Sequence, residues 1–237
     1  MWGKLGGTGI GLAVGGPLGA LIGALAGHFL VDREGAPFGS PPREVIFTTG
    51  LVALAAKMAK ADGVVTRDEV AAFRRIIEVP QESLGDIVKL FDLAKATTAG
   101  FEAYARQLHD LLADEPQLLE DVLDGLFLIA TADGAIHDGE IAYLKSVAAI
   151  FGLTESDYVR IEARHLRRAD DPYTVLGVTR EMDDEALKRR YRELAREFHP
   201  DRGIARGLPA EALTIATERL AAINAAWDRI ARERGLA

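Results

Sequence analysis

Cysteine is absent from the 237-residue sequence, which excludes disulfides, thiolate metal sites and cysteine nucleophiles. The sequence also lacks the GxSxG, HExxH, P-loop and dinucleotide-binding motifs, so we predict neither an enzyme nor a bound cofactor. A net charge of -8 argues against a nucleic-acid partner, because phosphate binding requires a basic footprint. What remains is a binding role for a chain that is 49% hydrophobic and long enough for one or two domains.

Charged side chains are also missing from residues 5–31, where only His28 can carry a proton. This run exceeds the roughly 20 helical residues that cross a bilayer, so we predict a transmembrane anchor over residues 1–34. Glycine recurs there at every fourth position, which lays a smooth ridge along one helix face and favours a homodimer in the membrane. The ridge consists of Gly7, Gly11, Gly15, Gly19, Gly23 and Gly27.

Other interpretations of this segment stay open. Pro17 would bend the helix, so a single tilted span and a re-entrant hairpin both fit the pattern. Ala24-Leu25-Ala26 resembles the cleavage site of a secretory signal, and a soluble glycine-rich packing segment is a further alternative. Residues 35–42 combine glycine, proline and serine, and are predicted to be a short linker.

Residues 43–168 show no strand alternation, and their apolar residues recur every three or four positions. The pattern predicts seven helices, over 44–60, 67–78, 82–96, 101–112, 116–131, 139–151 and 155–166. An internal repeat of the form ADGxxxxxE begins at Ala61 and again at Ala132, which indicates two similar helical halves.

The repeat matches the second half of a calcium-binding EF-hand loop, but the earlier carboxylates of such a loop are missing. Met58 and Ile129 stand at the first of those positions. A turn formed by glycine and followed by a capped helix explains the repeat better, with Thr66 and Glu69 forming a capping box.

The seven predicted helices and the paired turns resemble the tellurite-resistance TerB-type domain, a seven-helix fold with two related halves. Acidic residues of that family have been linked to metal, and by position the resemblance implies Asp62, Glu69, Asp133 and Glu140 as metal candidates. We predict that these residues form turns and caps and that no metal is bound.

Residues 169–237 are predicted to be a second domain built on a helical hairpin. A short helix begins after Asp171, with proline at its first position, and ends at Gly177. The apolar residues of the next two helices recur at offsets of three and four, so their stripes can face each other. The predicted core consists of Tyr173, Leu176, Leu187, Tyr191, Leu194, Phe198, Leu220, Ile223 and Trp227.

The tip of this hairpin carries His199-Pro200-Asp201, after a helix predicted to run from residue 183 or 184 to Phe198. Proline lacks an amide hydrogen and disfavours helical geometry in the residue before it, so the tripeptide is predicted to be a loop. Residues 188–206 hold seven basic and three acidic side chains, although residues 171–237 hold 12 of each. This local positive face suits an acidic protein partner.

These features resemble the J-domain of DnaJ-type co-chaperones. The resemblance rests on Tyr173, Leu176-Gly177-Val178, Tyr191-Arg192, His199-Pro200-Asp201, Ile223-Asn224, and Trp227 in place of the usual tyrosine. In that family the basic face of the second helix docks on an ATP-bound DnaK-type chaperone, and the tripeptide triggers ATP hydrolysis by that partner. By position, the resemblance assigns partner binding to Lys188, Arg189, Arg192, Arg196, His199, Pro200, Asp201 and Arg202.

An N-terminal membrane segment, a TerB-like middle over 43–168 and a terminal J-domain occur in this order in the DjlA-type membrane-anchored DnaJ-like co-chaperones. The segment HPDRGIARGLP also resembles that family. The resemblance implies a single-pass protein of the bacterial inner membrane with its soluble domains in the cytoplasm. The predicted function is recruitment of a DnaK-type chaperone to membrane-proximal clients; the alternative is a TerB-type adaptor that binds a metal or another stress ligand.

Overall fold

The computed structural model describes residues 16–23, 41–62, 66–77, 84–96, 100–166, 171–205 and 207–236. Every regular element within these ranges is a helix, and the predicted all-α class is confirmed. The helices are α1 over residues 16–23, α2 Arg43–Asp62, α3 Arg67–Ile76, α4 Leu84–Ala96, α5 Phe101–Leu111, α6 Pro116–Ala130, α7 Asp138–Ile150, α8 Glu155–His165, α9 Pro172–Leu176, α10 Asp184–Glu197, α11 Pro200–Ala205 and α12 Ala210–Arg234.

The seven helices predicted for the middle of the chain are α2 to α8, and each bound lies within two residues of its prediction. The predicted capping box opens α3: Glu69 N–H donates to Thr66 Oγ1 at 3.1 Å, and Thr66 N–H donates to Glu69 Oε2 at 2.6 Å. At the second repeat, His137 N–H donates to Glu140 Oε2 at 2.9 Å. Gly134 turns the chain there with a φ of 87°, which glycine adopts without steric cost.

Helix α2 lies at the centre of the bundle, and all of its residues from Leu51 to Ala56 are buried. Helices α4, α5, α6 and α7 pack around it. Gly50 allows close approach of α5, because a Cβ at that position would lie 2.6 Å from Leu108 Cδ1. On the α7 side, the Tyr143 hydroxyl donates to the Leu54 carbonyl oxygen at 2.8 Å. The central helix is therefore held by both packing and a buried hydrogen bond.

Two apolar cores are present in the described residues, and α12 contributes to both. Ala212 and Ile215 belong to the larger core, which the first eight helices build, whereas Ile223 and Ile230 belong to the smaller core with α9 and α10. Helix α6 meets α12 at Gly125, where a Cβ would lie 2.9 Å from Ile215 Cδ1. One helix of 25 residues thus joins the two parts of the molecule.

The described part of the predicted membrane segment is α1, which packs against the larger core through Leu18, Leu21 and Ile22. The Leu18 N–H donates to Gln107 Oε1 of α5 at 2.8 Å. Among the described residues, none of the helices has both the length and the apolar composition that a bilayer crossing requires. Gly19 and Gly23 of the predicted ridge lie in α1, and its other members, Gly7, Gly11, Gly15 and Gly27, lie outside the described residues.

The prediction that the whole His199-Pro200-Asp201 tripeptide is a loop is wrong. Helix α10 ends at Glu197, and a second short helix, α11, begins at Pro200 itself. Proline suits a first helical position, because its φ is already helical and its missing amide hydrogen would have no partner there. The turn is closed by the Arg202 N–H, which donates to the His199 carbonyl oxygen at 3.0 Å. The tripeptide is therefore a helix-to-helix corner.

Candidate functional site

Helix α10 carries most of the residues predicted to bind a partner. It begins as predicted after Asp183, whose carboxylate accepts a hydrogen bond from the Ala186 N–H at 2.8 Å. Leu187 and Leu194 lie about two helical turns apart on its buried side, and Phe198 is buried just past its end. Because these side chains fix the rotation of the helix, its opposite side faces solvent.

The predicted core residues surround that buried side. Tyr173, Leu176 and Ile223 are buried with Leu187, Leu194 and Phe198, and Leu220 is half-buried. The rings of Tyr191 and Trp227 stack at 4.8 Å with an interplanar angle of 7°. The Tyr191 hydroxyl also donates to Asn224 Oδ1 at 3.1 Å, which fixes the register between α10 and α12.

The exposed side of α10 presents the basic face, which consists of Lys188, Arg189, Arg192 and Arg196. Lys188 is half-buried and its Nζ lies 3.4 Å from Glu185 Oε1. Arg189, Arg192 and Arg196 are exposed, and within the described parts of the chain no carboxylate lies within 4.0 Å of their guanidinium groups. Three unpaired cations on one helix are available to a negatively charged partner.

His199 and Asp201 are exposed at the end of α10, with 50% and 83% of their side chains accessible. The Asp201 N–H donates to His199 Nδ1 at 3.3 Å, and the Asp201 carboxylate lies 3.6 Å from the same nitrogen. In the neutral ring, this hydrogen bond makes Nδ1 the acceptor and leaves the proton on Nε2. The hydrogen bond from the Asp201 backbone therefore orients the imidazole, which remains accessible to a partner.

Beneath this corner lies a group of charged residues that the sequence analysis did not single out. The guanidinium carbon of Arg219, on α12, is 4.4 Å from the centroid of the Phe198 ring. Its Nη2 lies 2.6 Å from Asp121 Oδ1 and 2.5 Å from Asp124 Oδ2, both on α6. Two acidic residues three positions apart within the apolar α6 sequence are the signal that could have revealed this contact.

Helix α8 completes this group at its C-terminal end. Arg164 Nη1 donates to Asp124 Oδ2 at 2.8 Å, and His165 Nε2 lies 2.7 Å from Asp124 Oδ1. The side chains of these residues are at most 8% exposed. We call the five residues the joint cluster: Asp121, Asp124, Arg164, His165 and Arg219.

The joint cluster separates the pKa values of its two carboxylates. Burial raises the pKa of Asp121 to about 6, and the nearby Arg219 only partly offsets that effect. Burial would also raise the pKa of Asp124, but Arg164, Arg219 and the hydrogen bond from His165 hold it well below its ordinary range. Burial lowers the pKa of Arg164 to about 10, so this guanidinium keeps its charge at neutral pH.

Three family models match the chain in succession. They are the co-chaperone DjlA transmembrane domain over residues 1–53, the tellurite resistance protein TerB over 48–163 and the DnaJ domain over 171–234. The co-chaperone protein DjlA of Photobacterium profundum is 30% identical, over 99% of this chain and 99% of its own length. The chain belongs to the DjlA co-chaperone family.

Two further members of the DjlA family match over almost their whole length. The co-chaperone DjlA proteins of Coxiella burnetii and Yersinia pestis are 29% and 27% identical, each over 99% of this chain and 98% of the relative. No solved structure matches the chain significantly. The resemblances to a TerB-type domain and a J-domain are thus confirmed, and membership of the DjlA family supports a co-chaperone role, a chaperone partner and anchoring in a bacterial membrane.

The four acidic metal candidates of the TerB-matched region are not brought together where the structure describes them. Glu69 and Glu140 accept capping hydrogen bonds at separate helix starts, and Asp133 Oδ1 accepts from the Ala135 N–H at 3.0 Å. The side chain of Asp62 lies outside the described residues. Within the described ranges, no group of three acidic or histidine side chains has the geometry to hold a metal ion.

Proposed function

We propose that this chain is a membrane-anchored co-chaperone whose J-domain binds a DnaK-type chaperone and stimulates its ATP hydrolysis. The observation that carries the proposal is the exposed His199-Pro200-Asp201 corner, placed beside a basic face at the end of a packed helical hairpin. An exposed tripeptide next to unpaired arginines matches what the DnaJ-domain family requires of its second helix. The chain itself performs no covalent step, because hydrolysis takes place in the partner.

The predicted partner-binding residues have two roles: some bind the chaperone, and others activate its ATP hydrolysis. Lys188, Arg189, Arg192, Arg196 and Arg202 steer and hold an acidic surface of the chaperone, since exposed charges raise association rates over long range. His199 and Asp201 contact the partner directly and shift it towards its hydrolysing state. Pro200 fixes the corner between α10 and α11, so that both side chains are presented together.

The membrane segment sets where this happens. DnaK-type chaperones and their ATP are cytoplasmic, so the J-domain faces the cytoplasm from the inner membrane and recruits the chaperone to clients near the bilayer. The glycine ridge pairs two copies of the anchor in the membrane. Because the chain has no cysteine, a Ser40→Cys chain in vesicles reports pairing by disulfide crosslinking. Gly15→Leu with Gly19→Leu should weaken crosslinking, and unchanged crosslinking would contradict the dimer.

The test of the proposed function is single-turnover ATP hydrolysis by a DnaK-type chaperone mixed with the full-length chain in lipid nanodiscs. The wild-type chain should accelerate hydrolysis, and His199→Gln should return the rate to that of the chaperone alone. His109→Gln is the matched control, because His109 and Asp110 form another exposed pair, 3.2 Å apart, on α5. No acceleration by the wild type, or equal loss in both variants, would contradict the proposal.

A further inference from the structure

The J-domain of this chain is not a separate body on a tether, because its third helix is built into the neighbouring domain. Ala212 and Ile215 of α12 are fully buried in the larger core, and Gly125 of α6 leaves the space that Ile215 fills. Near the start of α12, Thr48 Oγ1 of α2 donates to Glu211 Oε1 at 3.1 Å. The first part of α12 therefore belongs to the TerB-like bundle and the rest to the J-domain.

Arg219 lies where α12 passes from one core to the other. Its Nε donates to Asp124 Oδ2 at 2.7 Å, and its Nη2 forms ion pairs with Asp124 Oδ2 at 2.5 Å and with Asp121 Oδ1 at 2.6 Å. This double attachment to one helix fixes the plane of the guanidinium group, as arginine–carboxylate contacts do. The guanidinium carbon lies over the ring of Phe198, 4.4 Å from its centroid, at the distance of a cation–π contact.

Phe198 connects Arg219 to the His199-Pro200-Asp201 corner. It is the residue immediately before His199, it is buried in the smaller core, and its N–H donates to the Leu194 carbonyl oxygen at 2.9 Å as α10 ends. A second contact holds the same end of α10, because Gln117 of α6 donates to Glu197 Oε1 at 3.1 Å. The position of the His199 corner is thus set from α6 as well as from within the J-domain.

We propose that Arg219 is a positioning residue, which transmits the placement of the TerB-like helix α6 through Phe198 to the His199-Pro200-Asp201 corner. Without Arg219, the basic face still binds the chaperone, but the corner is no longer held in the orientation that stimulates hydrolysis. This inference rests on the proposed function and adds a role for the TerB-like domain, which becomes the support of the J-domain. A small displacement of groups that must be oriented for reaction lowers the rate steeply.

The test variant is Arg219→Met with Asp121→Leu in the full-length chain. The two substitutions remove one positive and one negative buried charge, so Asp124 keeps Arg164 and His165 as partners. Replacing a buried ion pair by apolar residues of similar volume is often neutral for stability, which keeps the variant folded. The matched control is Arg160→Met with Glu120→Leu, an ion pair of 3.1 Å between α8 and α6. Glu120 also lies 3.9 Å from Arg164 at the edge of the joint cluster, but in the described part of the chain neither control residue contacts Arg219 or Phe198.

The measurement is the dependence of the single-turnover hydrolysis rate on the concentration of this chain, which separates the rate at saturation from the half-saturating concentration. The Arg219→Met/Asp121→Leu chain should lose about tenfold in the rate at saturation, with the half-saturating concentration within about twofold of wild type. The control pair should change neither, and Arg219→Lys, which keeps the charge but not the planar group, should lose an intermediate amount.

The outcomes separate this inference from the proposed function. Stimulation by the wild type that is lost in His199→Gln establishes the function whatever the Arg219 variants do. A rate at saturation within about twofold of wild type in Arg219→Met/Asp121→Leu would overturn the positioning role. An equal loss in the control pair, or a change confined to the half-saturating concentration, would overturn it as well.

Discussion

Arginine, aspartate and histidine side chains lie together in the joint cluster and again around the His199 corner. In the joint cluster the side chains are almost fully buried, and each has a carboxylate, guanidinium or imidazole partner within 2.8 Å on another helix. At the corner, His199 and Asp201 are 3.6 Å apart and at least half exposed. The same chemical groups therefore hold the molecule together in one place and remain available to a partner in the other.

The difference follows from solvation. Buried charges have lost their water and depend on their protein partners, so removal of one leaves the others uncompensated. Exposed charges keep their water and gain little from an intramolecular partner. Substitutions in the joint cluster should therefore change stability first, whereas substitutions at the corner and on the basic face should change function and leave stability nearly intact.

The largest expected effect on stability is that of Asp124→Asn. Asp124 accepts from Arg164 and Arg219 and contacts His165, so the loss of its charge leaves Arg164 without its nearest carboxylate and Arg219 with Asp121 alone. We expect a loss of about 3 to 5 kcal/mol in the free energy of unfolding, measured by urea denaturation of the full-length chain. Asp201→Asn, the exposed counterpart, should change it by less than about 0.5 kcal/mol. Similar stability losses in Asp124→Asn and Asp201→Asn would contradict the distinction between buried and exposed charges.

The pH dependence distinguishes the two buried carboxylates. Because the pKa of Asp121 is raised to about 6, the stability it contributes is complete below about pH 4 and lost as the pH rises through 6. The pKa of Asp124 is lowered, so its contribution is present above about pH 4 and lost only at lower pH.

Denaturation of three chains at a series of pH values tests this assignment. Between pH 4 and pH 7, the stability of the wild type relative to Asp121→Asn should fall by up to about 3 kcal/mol. Relative to Asp124→Asn it should not fall. Parallel slopes for the two variants would show that the two carboxylates share one environment, against the structure.

A comparison of two histidines should give a smaller effect. His165 is bound to Asp124 at 2.7 Å and stacks on the Phe127 ring at 5.3 Å, so His165→Gln should lose about 1 to 3 kcal/mol of stability. His199→Gln should leave stability within about 0.5 kcal/mol while abolishing stimulation of the chaperone. Both variants are measured by thermal unfolding and in the hydrolysis assay. Equal changes in stability and in stimulation would contradict the distinction between the buried and the exposed histidine.

The smallest expected effect concerns the basic face. Arg192→Ala should raise the half-saturating concentration of this chain in the hydrolysis assay about threefold at low salt, since an exposed charge acts mainly on association. The difference should shrink as salt screens the interaction. Arg75→Ala, at an exposed position on α3, is the control and should have no effect. Salt-independent weakening by Arg192→Ala would argue against electrostatic steering.

Much of the fold could be predicted because it depends on local patterns. The bounds of α2 to α8 follow from apolar spacing and caps such as Thr66, and the start of α10 follows from Asp183. Helix α11 was missed because Pro200 was weighed only as a terminator of the preceding helix. Proline at a first helical position favours the opposite result, and its effect depends on whether the following residues form a helix.

The joint cluster could not be predicted from the same patterns. The predicted core took only Leu220, Ile223 and Trp227 from α12, whereas Ala212, Ile215 and Arg219 form a second stripe towards the larger core and α6. Asp121 and Asp124 interrupt an apolar sequence, but aspartate and arginine are almost always exposed, so this signal did not identify their buried partner. Their burial depends on a partner supplied from 95 residues away in the chain, which only the tertiary structure reveals.

Helix α12 offers the most direct test of the account, because the central claim is that one helix serves two cores and holds the J-domain to the TerB-like bundle. Native-state hydrogen exchange of the full-length chain in nanodiscs reports the opening free energy of each part of that helix. In the wild type, we predict that the opening free energies of residues 212–219 and of residues 223–231 agree within about 1.4 kcal/mol. In Arg219→Met/Asp121→Leu, the two opening free energies should differ by more than that. A J-domain half that opens independently in the wild type would contradict the account.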